Sequence, residues 1–498
     1  MKIVVIGAGM AGMATAARLA RGGHQVDVYE ASDRIGGKCR TEWIGKVAFD
    51  TGPSLLTLPA VYKDFFQRTG KPMALVCPIE PVNPSFDYRF ADGKQVKFAN
   101  LSRNETLNAI TESFGSESAT QWQIIMQRAE KMWDVSRGPF VESELKSAFS
   151  LLKRFTLLRD LTIIAPWKSL RVHADEILKD KHLRFIMDRY ATYSGSDPRK
   201  APAVLSTIAF VEESFGAWHV KGGLGKLATT VHQRALDLGV TFHLNTSVAQ
   251  IMVEGKKTTG IVLTNGDVVT ADAVVANADA SLVYNKLIQG KKKLLKKERS
   301  NIAKADVSVA GFCLLLGMRK DVAQTMSHHT ILFPEDYDAE FDAIFEAGKP
   351  VDRPTIYICA PKDETMSKDE NLEGWFVLVN APTHGRFDWN DKDFAQKYAN
   401  QIIDQIESRG ISVRNRLESL TIRTPADLEA QVLAPGGAIY GTSSNGARAA
   451  FLRAKNRSPV KGLYLVGGSA HPGGGLPLVG ISADLVTEAI GYERKLRH

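Results

Sequence analysis

Three glycines at Gly7, Gly9 and Gly12, a carboxylate at Glu30 and a second glycine-marked loop at Arg34-Ile-Gly36-Gly37-Lys38 are the residues whose types and spacing bear most directly on chemistry. Gly-x-Gly-x-x-Gly at a strand-to-helix turn presents backbone N–H groups at the positive end of a helix, where a pyrophosphate binds. Each glycine has a separate role, since one permits the tight turn, one lets the backbone approach the phosphates, and one lets helix and strand pack closely. Glu30 follows Gly12 by eighteen positions, near the ~20 expected of an acid that takes the ribose hydroxyls of a dinucleotide. The same opening letters, IVVIGAGMAGMATAARLA behind Lys2, also resemble a secretory signal, a short apolar run ending in small residues. A cleaved leader has no use for an acid in register, so the dinucleotide reading is preferred.

The elements that position these residues follow from the pattern around them. Residues 3–6 are a β-branched apolar strand, a helix carries Met13, Ala16, Ala17 and Leu19, and a second strand spans Gln25 to Glu30, which together make a β-α-β unit. Asp92-Gly93 and Asn265-Gly266 each turn a hairpin. From Ser102 to about Lys200 the texture is helical, opened by the capping box Ser102-Arg-Asn-Glu105. The α/β texture returns at Lys221-Gly222-Gly223, with a helix to about Leu238, short strands over 241–253, and the run Ala273 to Ala276 leading into Asn277-Ala278-Asp279. Strands at 312–316, 355–359 and 375–379 with a helix ending at Gly410 predict a second, mixed sheet. A strand ending at Gly467-Gly468 and a last helix over 481–490 close the chain.

Composition narrows the class. The formal charge of +8 favours anionic partners, but 63 basic residues are interspersed with 55 acidic ones and no basic stripe stands out. The densest cluster, Lys291-Lys292-Lys293 with Lys296, Lys297 and Arg299, has no interleaved aromatics to stack bases, so it reads as a solvated face first and a lipid-headgroup contact second, and no nucleic-acid partner is expected. The four cysteines, Cys39, Cys77, Cys313 and Cys359, form no C-x-x-C pair, which argues against a disulfide reductase and fits a reducing compartment. No H-E-x-x-H occurs, and His328-His329 are adjacent rather than helically spaced, so no metal centre is expected; serine hydrolysis lacks its G-x-S-x-G. There is no second G-x-G-x-x-G, which points to a lone dinucleotide. The uncharged stretch 462–483 contains Pro472, Pro477 and three successive glycines, which break a spanning helix. The segment LLKRFTLLRDLTIIAPW at 151–167 has two readings, a buried helix of an accessory lobe or a surface that dips into a membrane without crossing it.

The glycine loop, Arg34-x-Gly36-Gly37-Lys38, Phe49-Asp50-Thr51-Gly52-Pro53-Ser54, Lys221-Gly222-Gly223, Asn277-Ala278-Asp279 and GLYLVGGSAHPGGGLPLVGISA together resemble the bacterial phytoene desaturase family of FAD-dependent carotenoid desaturases. The likeness runs in order along essentially the whole chain, and RYATYSGSDPRKAP, GGAIYGTSSNGARAAFLR and GGSAHPGGG look closest to its hydroxycarotenoid 3,4-desaturase branch. The resemblance implies an α/β fold: a discontinuous Rossmann-like FAD-binding domain (1–100, 221–305 and 425–498), a mixed-sheet substrate domain (306–424) and a helical membrane-associating lobe (101–220). It also implies that Gly7, Gly9 and Gly12 cradle the FAD pyrophosphate and Glu30 binds the ribose. Arg34, Gly36, Gly37 and Lys38 would line a second phosphate loop, and Thr51, Gly52, Pro53 and Ser54 would lie near the flavin. Val248 would meet the adenine through its backbone, and Gly468, Leu476, Pro477 and Leu478 would hold the ribityl chain and pyrimidine edge. Lys38 stands where such loops often have arginine, which keeps the charge without bidentate contact.

The activity this implies is introduction of C=C bonds into a phytoene-like or hydroxylated carotenoid, with hydride passing to flavin N5. The expected partners are a hydrophobic polyene and a membrane surface, with oxygen or a quinone as electron acceptor, in a cytoplasmic protein peripherally attached to the inner membrane. His471 is the candidate base, ahead of Glu212 and Glu213. With the last cysteine at Cys359, far from the flavin-binding end, the FAD is expected to be non-covalent. Rival readings on this fold are an amine oxidase, a carotenoid isomerase and, in another class, a non-redox prenyl-protein escort, against which the intact phosphate loop argues.

Overall fold

Lys2–Ile6 is the central strand of a five-stranded parallel sheet in the spatial order Leu463–Leu465, Ala273–Ala276, Lys2–Ile6, Gln25–Tyr29 and Thr241–His243. The structure is a computed structural model that describes residues 1–145 and 156–491. The strand is apolar throughout because both faces are covered. Ile3 and Val5 enter the core beneath three helices, Met10–Arg21, Gly225–Asp237 and Leu476–Ile490, the first of which packs on the other two. Val4 and Ile6 face the other way, toward Ile251 and Ile261 of the antiparallel sheet Val248–Glu254, Lys257–Leu263 and Val268–Thr270. Ala11, Ala14, Ala16 and Ala17 are all buried, and these small side chains let the first helix lie close to two neighbours at once.

The second sheet has seven strands in the order Leu417–Arg423, Ala310–Arg319, Leu372–Ala381, Ile356–Cys359, His329–Leu332, Phe86–Arg89 and Gln95–Phe98. It is mixed, because His329–Leu332 and Phe86–Arg89 run parallel and the other pairs antiparallel. Trp375, Val377 and Val379 meet Ile402 and Ile406 of the helix Lys392–Ser408 on one face, while Leu315, Cys359 and Phe376 face Val47 and Phe49 on the other. Helices Arg103–Phe114, Ser116–Phe140, Lys181–Thr192 and Ser206–Phe215 build the helical lobe around Trp122, Ile125, Ile186 and Tyr190. Ser102 caps the first of these by accepting from the Glu105 amide.

Three expectations change. Residues 86–98, assigned by position to the dinucleotide domain, are two edge strands of the second sheet, because Phe86–Arg89 pairs with His329–Leu332, a strand far along the chain that no local signal announces. The last helix begins at Leu476 rather than 481, with Pro477 in its first turn, where a missing N–H costs nothing. Residues 151–155 of the apolar segment lie outside the described residues, but the helix Leu157–Ile164 that follows is not a buried one: Leu158 is 83% and Trp167 67% exposed.

The close packing at the first helix has a measurable consequence. Ala17→Leu adds three carbons at a site with 0% exposure. A loss of about 1–3 kcal/mol of stability is expected, read from the midpoint of urea unfolding against the parent protein.

Candidate functional site

A cavity of about 930 Å³ runs from the glycine loop, between the two sheets, into the helical lobe. At one end its wall is backbone: Gly9 and Met10, Gly36 to Arg40, Thr51 to Leu55, and Val466 to Ser469. At the other it is largely side chain, with Phe140, Leu161, Ile164, Ile208, Leu433 and Phe451.

The backbone end is held by one side chain that sequence reasoning left without a role. Asn277, at the end of the strand Ala273–Ala276, accepts from the Gly12 amide through Oδ1 at 3.1 Å and donates from Nδ2 to the Val466 carbonyl at 3.2 Å. The glycines are what give it room. A Cβ on Gly9 would stand 2.6 Å from Asn277 Oδ1, one on Gly7 2.7 Å from the Asn277 carbonyl, one on Gly467 2.5 Å from Asn277 Nδ2, and one on Gly12 would strike the Gly7 carbonyl. The helix Met10–Arg21 has no side-chain cap and no acid in its first turn, so its positive end is left to an anion. The second loop lies directly against the first, with the Gly36 amide donating to the Ala8 carbonyl at 2.8 Å. Gly52 in turn touches the Lys38 carbonyl so closely that no Cβ fits.

Two buried cations secure the wall opposite. Lys38 Nζ donates to the carbonyls of Ala438 and Ile439, each at 2.7 Å, and Arg453 donates to the carbonyls of Gly468 (2.7 Å) and Thr442 (2.8 Å). Burial draws Lys38 down to about 8 and Arg453 to about 10, and in each case the Asp279 carboxylate acts against the shift. Asp279 is itself oriented by Ser281, whose amide and hydroxyl donate to it at 2.8 and 2.6 Å.

Deeper in the cavity, Arg189 stands in a cluster of tyrosines. Its guanidinium donates to Tyr88 (2.8 Å) and Tyr193 (2.9 Å), lies 4.3 Å from the Phe86 ring centre, and approaches Glu212 at 3.4 Å. Tyr190 and Tyr193 also donate to Glu212, whose burial pushes its carboxyl upward while Arg189 opposes the shift. A further chain, Ser54 Oγ to Tyr357 hydroxyl (2.7 Å) to His329 Nδ1 (2.8 Å), leads from the wall into the second sheet.

A dinucleotide cradle closed by two distant segments of chain, opening into an apolar chamber, is the arrangement that comparison with known proteins bears out. The model of the flavin containing amine oxidoreductases matches residues 10–371. The chain belongs to that family. Among curated relatives it is 31% identical to the 1-hydroxycarotenoid 3,4-desaturase of Flavobacterium sp. (strain P99-3), over 98% of this chain and 99% of that one. It is also 31% identical to the zeta-carotene-forming phytoene desaturase of Myxococcus xanthus, over 98% and 93%. Identity to the 4,4'-diapolycopene oxygenase of Methylomonas sp is 29%, over 98% of both. In fold it matches putrescine oxidase bound to putrescine, with a TM-score of 0.66 at 14% identity, covering 98% of each chain.

This flavin containing amine oxidoreductase is therefore an FAD-dependent enzyme. The residues fit the cofactor: an uncapped helix end, three glycines without space for a Cβ, and a carboxylate at the end of the second strand. Glu30 is held there by the Ala8 amide (2.7 Å) and the Ser32 amide (2.9 Å), and its carbonyl accepts from Thr246 (2.8 Å), which brings the start of the strand Val248–Glu254 alongside. Of the remaining sequence-derived residues, Gly36, Gly37, Lys38, Thr51, Gly52, Pro53, Ser54, Gly468, Leu476, Pro477 and Leu478 line the cavity. Arg34 does not; its side chain is 59% exposed beside Asp33. Lys38 lines it, but its ammonium serves two carbonyls.

His471 is placed outside the cavity wall. Its neighbours Ser469 and Pro472 line the cavity and it does not. Its ring bonds the Ser143 carbonyl at 2.9 Å and its own carbonyl takes bonds from Asn456 and Ser482, so it positions the loop. Glu213 pairs with Arg103 away from the cavity, and Glu212 is committed to the Arg189 cluster.

Gly12→Ala is expected to yield a folded protein, by far-UV circular dichroism, that has lost its visible flavin absorbance, because the new methyl displaces Asn277 and the loop together. Burial holds His471 down at about 4, so the folded form refuses a proton that the unfolded chain accepts below its ordinary 6.5. Stability from this ring is complete above 6.5 and is lost as pH falls from there toward 4. His471→Gln should show a shallower decline of melting temperature than the parent across that window.

Proposed function

We propose that this enzyme desaturates carotenoids, removing hydrogens from adjacent saturated carbons of a polyene. The observation that carries the reading is the chamber beyond the flavin end, whose wall of Phe140, Leu161, Ile164, Ile208, Leu433 and Phe451 suits a long hydrocarbon. The desaturases among its relatives, similar over nearly their whole length, support it. Held by the glycine loop and Glu30, FAD would supply the two-electron acceptor for a hydride given up by one carbon, while a proton leaves the next and the remaining pair becomes the C=C bond. The chain's own residues orient the polyene and exclude water. An amine substrate is less well served, because the wall carboxylates Asp160 and Asp279 already accept from Thr156 at 2.7 Å and from Ser281.

Entry of such a substrate is proposed to occur from a membrane surface. The helix Leu157–Ile164 lines the cavity with Leu161 and Ile164 while presenting Leu158 outward, next to exposed Trp167 and Val172. An apolar, aromatic edge of that kind suits shallow insertion at the lipid boundary. No helix among the described residues is long and apolar enough to cross a membrane. Peripheral attachment to the inner membrane from the cytoplasmic side, with oxygen or a quinone reoxidising the flavin, completes this reading.

One observation favours a hydroxylated carotenoid over a plain hydrocarbon. Arg189, Thr192, Tyr193 and Ser194 give one part of the wall a polar character that an oxygen-bearing end group would match. The test is expression in two hosts, one accumulating phytoene and one accumulating hydroxylated carotenoids, with pigments read by mass and absorption. Loss of paired hydrogens with a red-shifted spectrum is expected, and more completely in the second host. Unchanged pigments in both, with amine-driven peroxide release by the purified protein, would replace this reading by amine oxidation.

A further inference from the structure

Behind the cavity wall, the adjacent histidines that sequence spacing dismissed meet a cysteine. His329 and Cys359 are register partners on neighbouring antiparallel strands, and His328 precedes them with its carbonyl bonded to the Ala360 amide. The donor atoms of His328, His329 and Cys359 all lie within 4.8 Å of one another. Around one ion with bonds of ~2.0 Å to nitrogen and ~2.3 Å to sulfur, three donors stand roughly 3.5–3.7 Å apart, so side-chain adjustment of up to about 1 Å brings all three onto one centre. His329 and Cys359 are 0% and 1% exposed, and the Nε2 atoms of both histidines are buried without a hydrogen-bond partner. Two unpartnered imidazole nitrogens beside a thiol are an expensive arrangement for a sheet interior unless something accepts their lone pairs.

We propose that His328, His329 and Cys359 form a binding site for one thiophilic cation, copper(I). The hydrogen bonds around the cluster suit this. When His329 donates Nδ1–H to the Tyr357 oxygen and Tyr357 donates to Ser54, His329 Nε2 carries a free lone pair, the form in which a metal-bound histidine is normally fixed by its outer partner. The hydroxyls of Ser54 and Tyr357 also neighbour the Cys359 sulfur.

Charge and ligand number select the ion. Binding is the exchange of the Cys359 S–H proton for the metal, Cu⁺ plus thiol giving Cu–thiolate plus H⁺, which leaves the buried site neutral. Zinc(II) in the same three ligands would leave a net positive charge and an open fourth position. Asp363, the carboxylate that acts on His328, is already bonded to His219 (2.8 Å) and to the Gly222 amide. Soft thiolate and imidazole in a three-coordinate, neutral setting favour copper(I).

The test is anaerobic titration of the FAD-loaded full-length protein with the copper(I)–acetonitrile complex, in competition with bicinchoninate. X-ray absorption reports the ligand set. One copper(I) per chain bound through one sulfur and two nitrogens is expected. Cys359→Ser and, independently, the half-buried His328→Gln should each weaken binding by more than ~100-fold. Cys77→Ala, in the core of the other domain, should leave it unchanged. Flavin content and circular dichroism report folding of each variant, and either ligand variant alone suffices. Absence of stoichiometric copper in the folded parent, binding that survives a folded ligand variant, or tighter retention of zinc(II) than of copper(I) would overturn the assignment.

Discussion

The carboxamide of Asn277 is the contact on which the dinucleotide site depends. Its two ends join the amide of the first helix to the carbonyl of the last strand, and it occupies space that any side chain at Gly7, Gly9, Gly12 or Gly467 would fill. A pyrophosphate must be met by backbone N–H groups at close range, and a backbone brought that close has to be braced from behind. Here the brace is a neutral amide, which adds no charge beside the anion it helps to seat.

The same economy of charge runs through the rest of the cavity. Lys38 and Arg453 are turned onto main-chain carbonyls with Asp279 between them, so the loops at 438–442 and 468 are tied down by ionic hydrogen bonds. Such bonds are roughly twice as strong as neutral ones and are little screened when buried. Arg189 and Glu212 repeat the pattern with tyrosine hydroxyls as intermediaries. Removing one member of a buried pair leaves its partner uncompensated, which is why these groups stabilise the wall only as complete sets.

What was legible in the sequence was what local chemistry dictates. The β-α-β unit, the Asp92-Gly93 and Asn265-Gly266 hairpins, the Ser102 cap and the mixed character of the second sheet follow from periodicity and turn residues, and the structure contains all of them. The cofactor followed from the glycine loop with Glu30 in register, and the family from motifs spread along the chain. Contacts between segments hundreds of residues apart were not legible. Asn277 reads as an ordinary strand end, Lys38 as a phosphate ligand, and Arg189 as one more helical arginine until Tyr88 and Glu212 are brought to it. The orientation of His471 was not legible either: its place in a glycine-rich loop says nothing of which way the ring turns.

The neighbours in the central sheet belong to the beginning, the middle and the end of the polypeptide, since Leu463–Leu465 lies beside Ala273–Ala276, which lies beside Lys2–Ile6. During synthesis the first strand therefore waits for its second neighbour until past the middle of the message, and Ala273–Ala276 keeps an apolar edge unprotected until nearly all of it has been translated. Pairings this remote in sequence form slowly and leave sticky surfaces exposed meanwhile. Cofactor capture is thus a late, post-translational event for this enzyme, and flavin supply at the moment of ribosome release bears on how much of it survives to work.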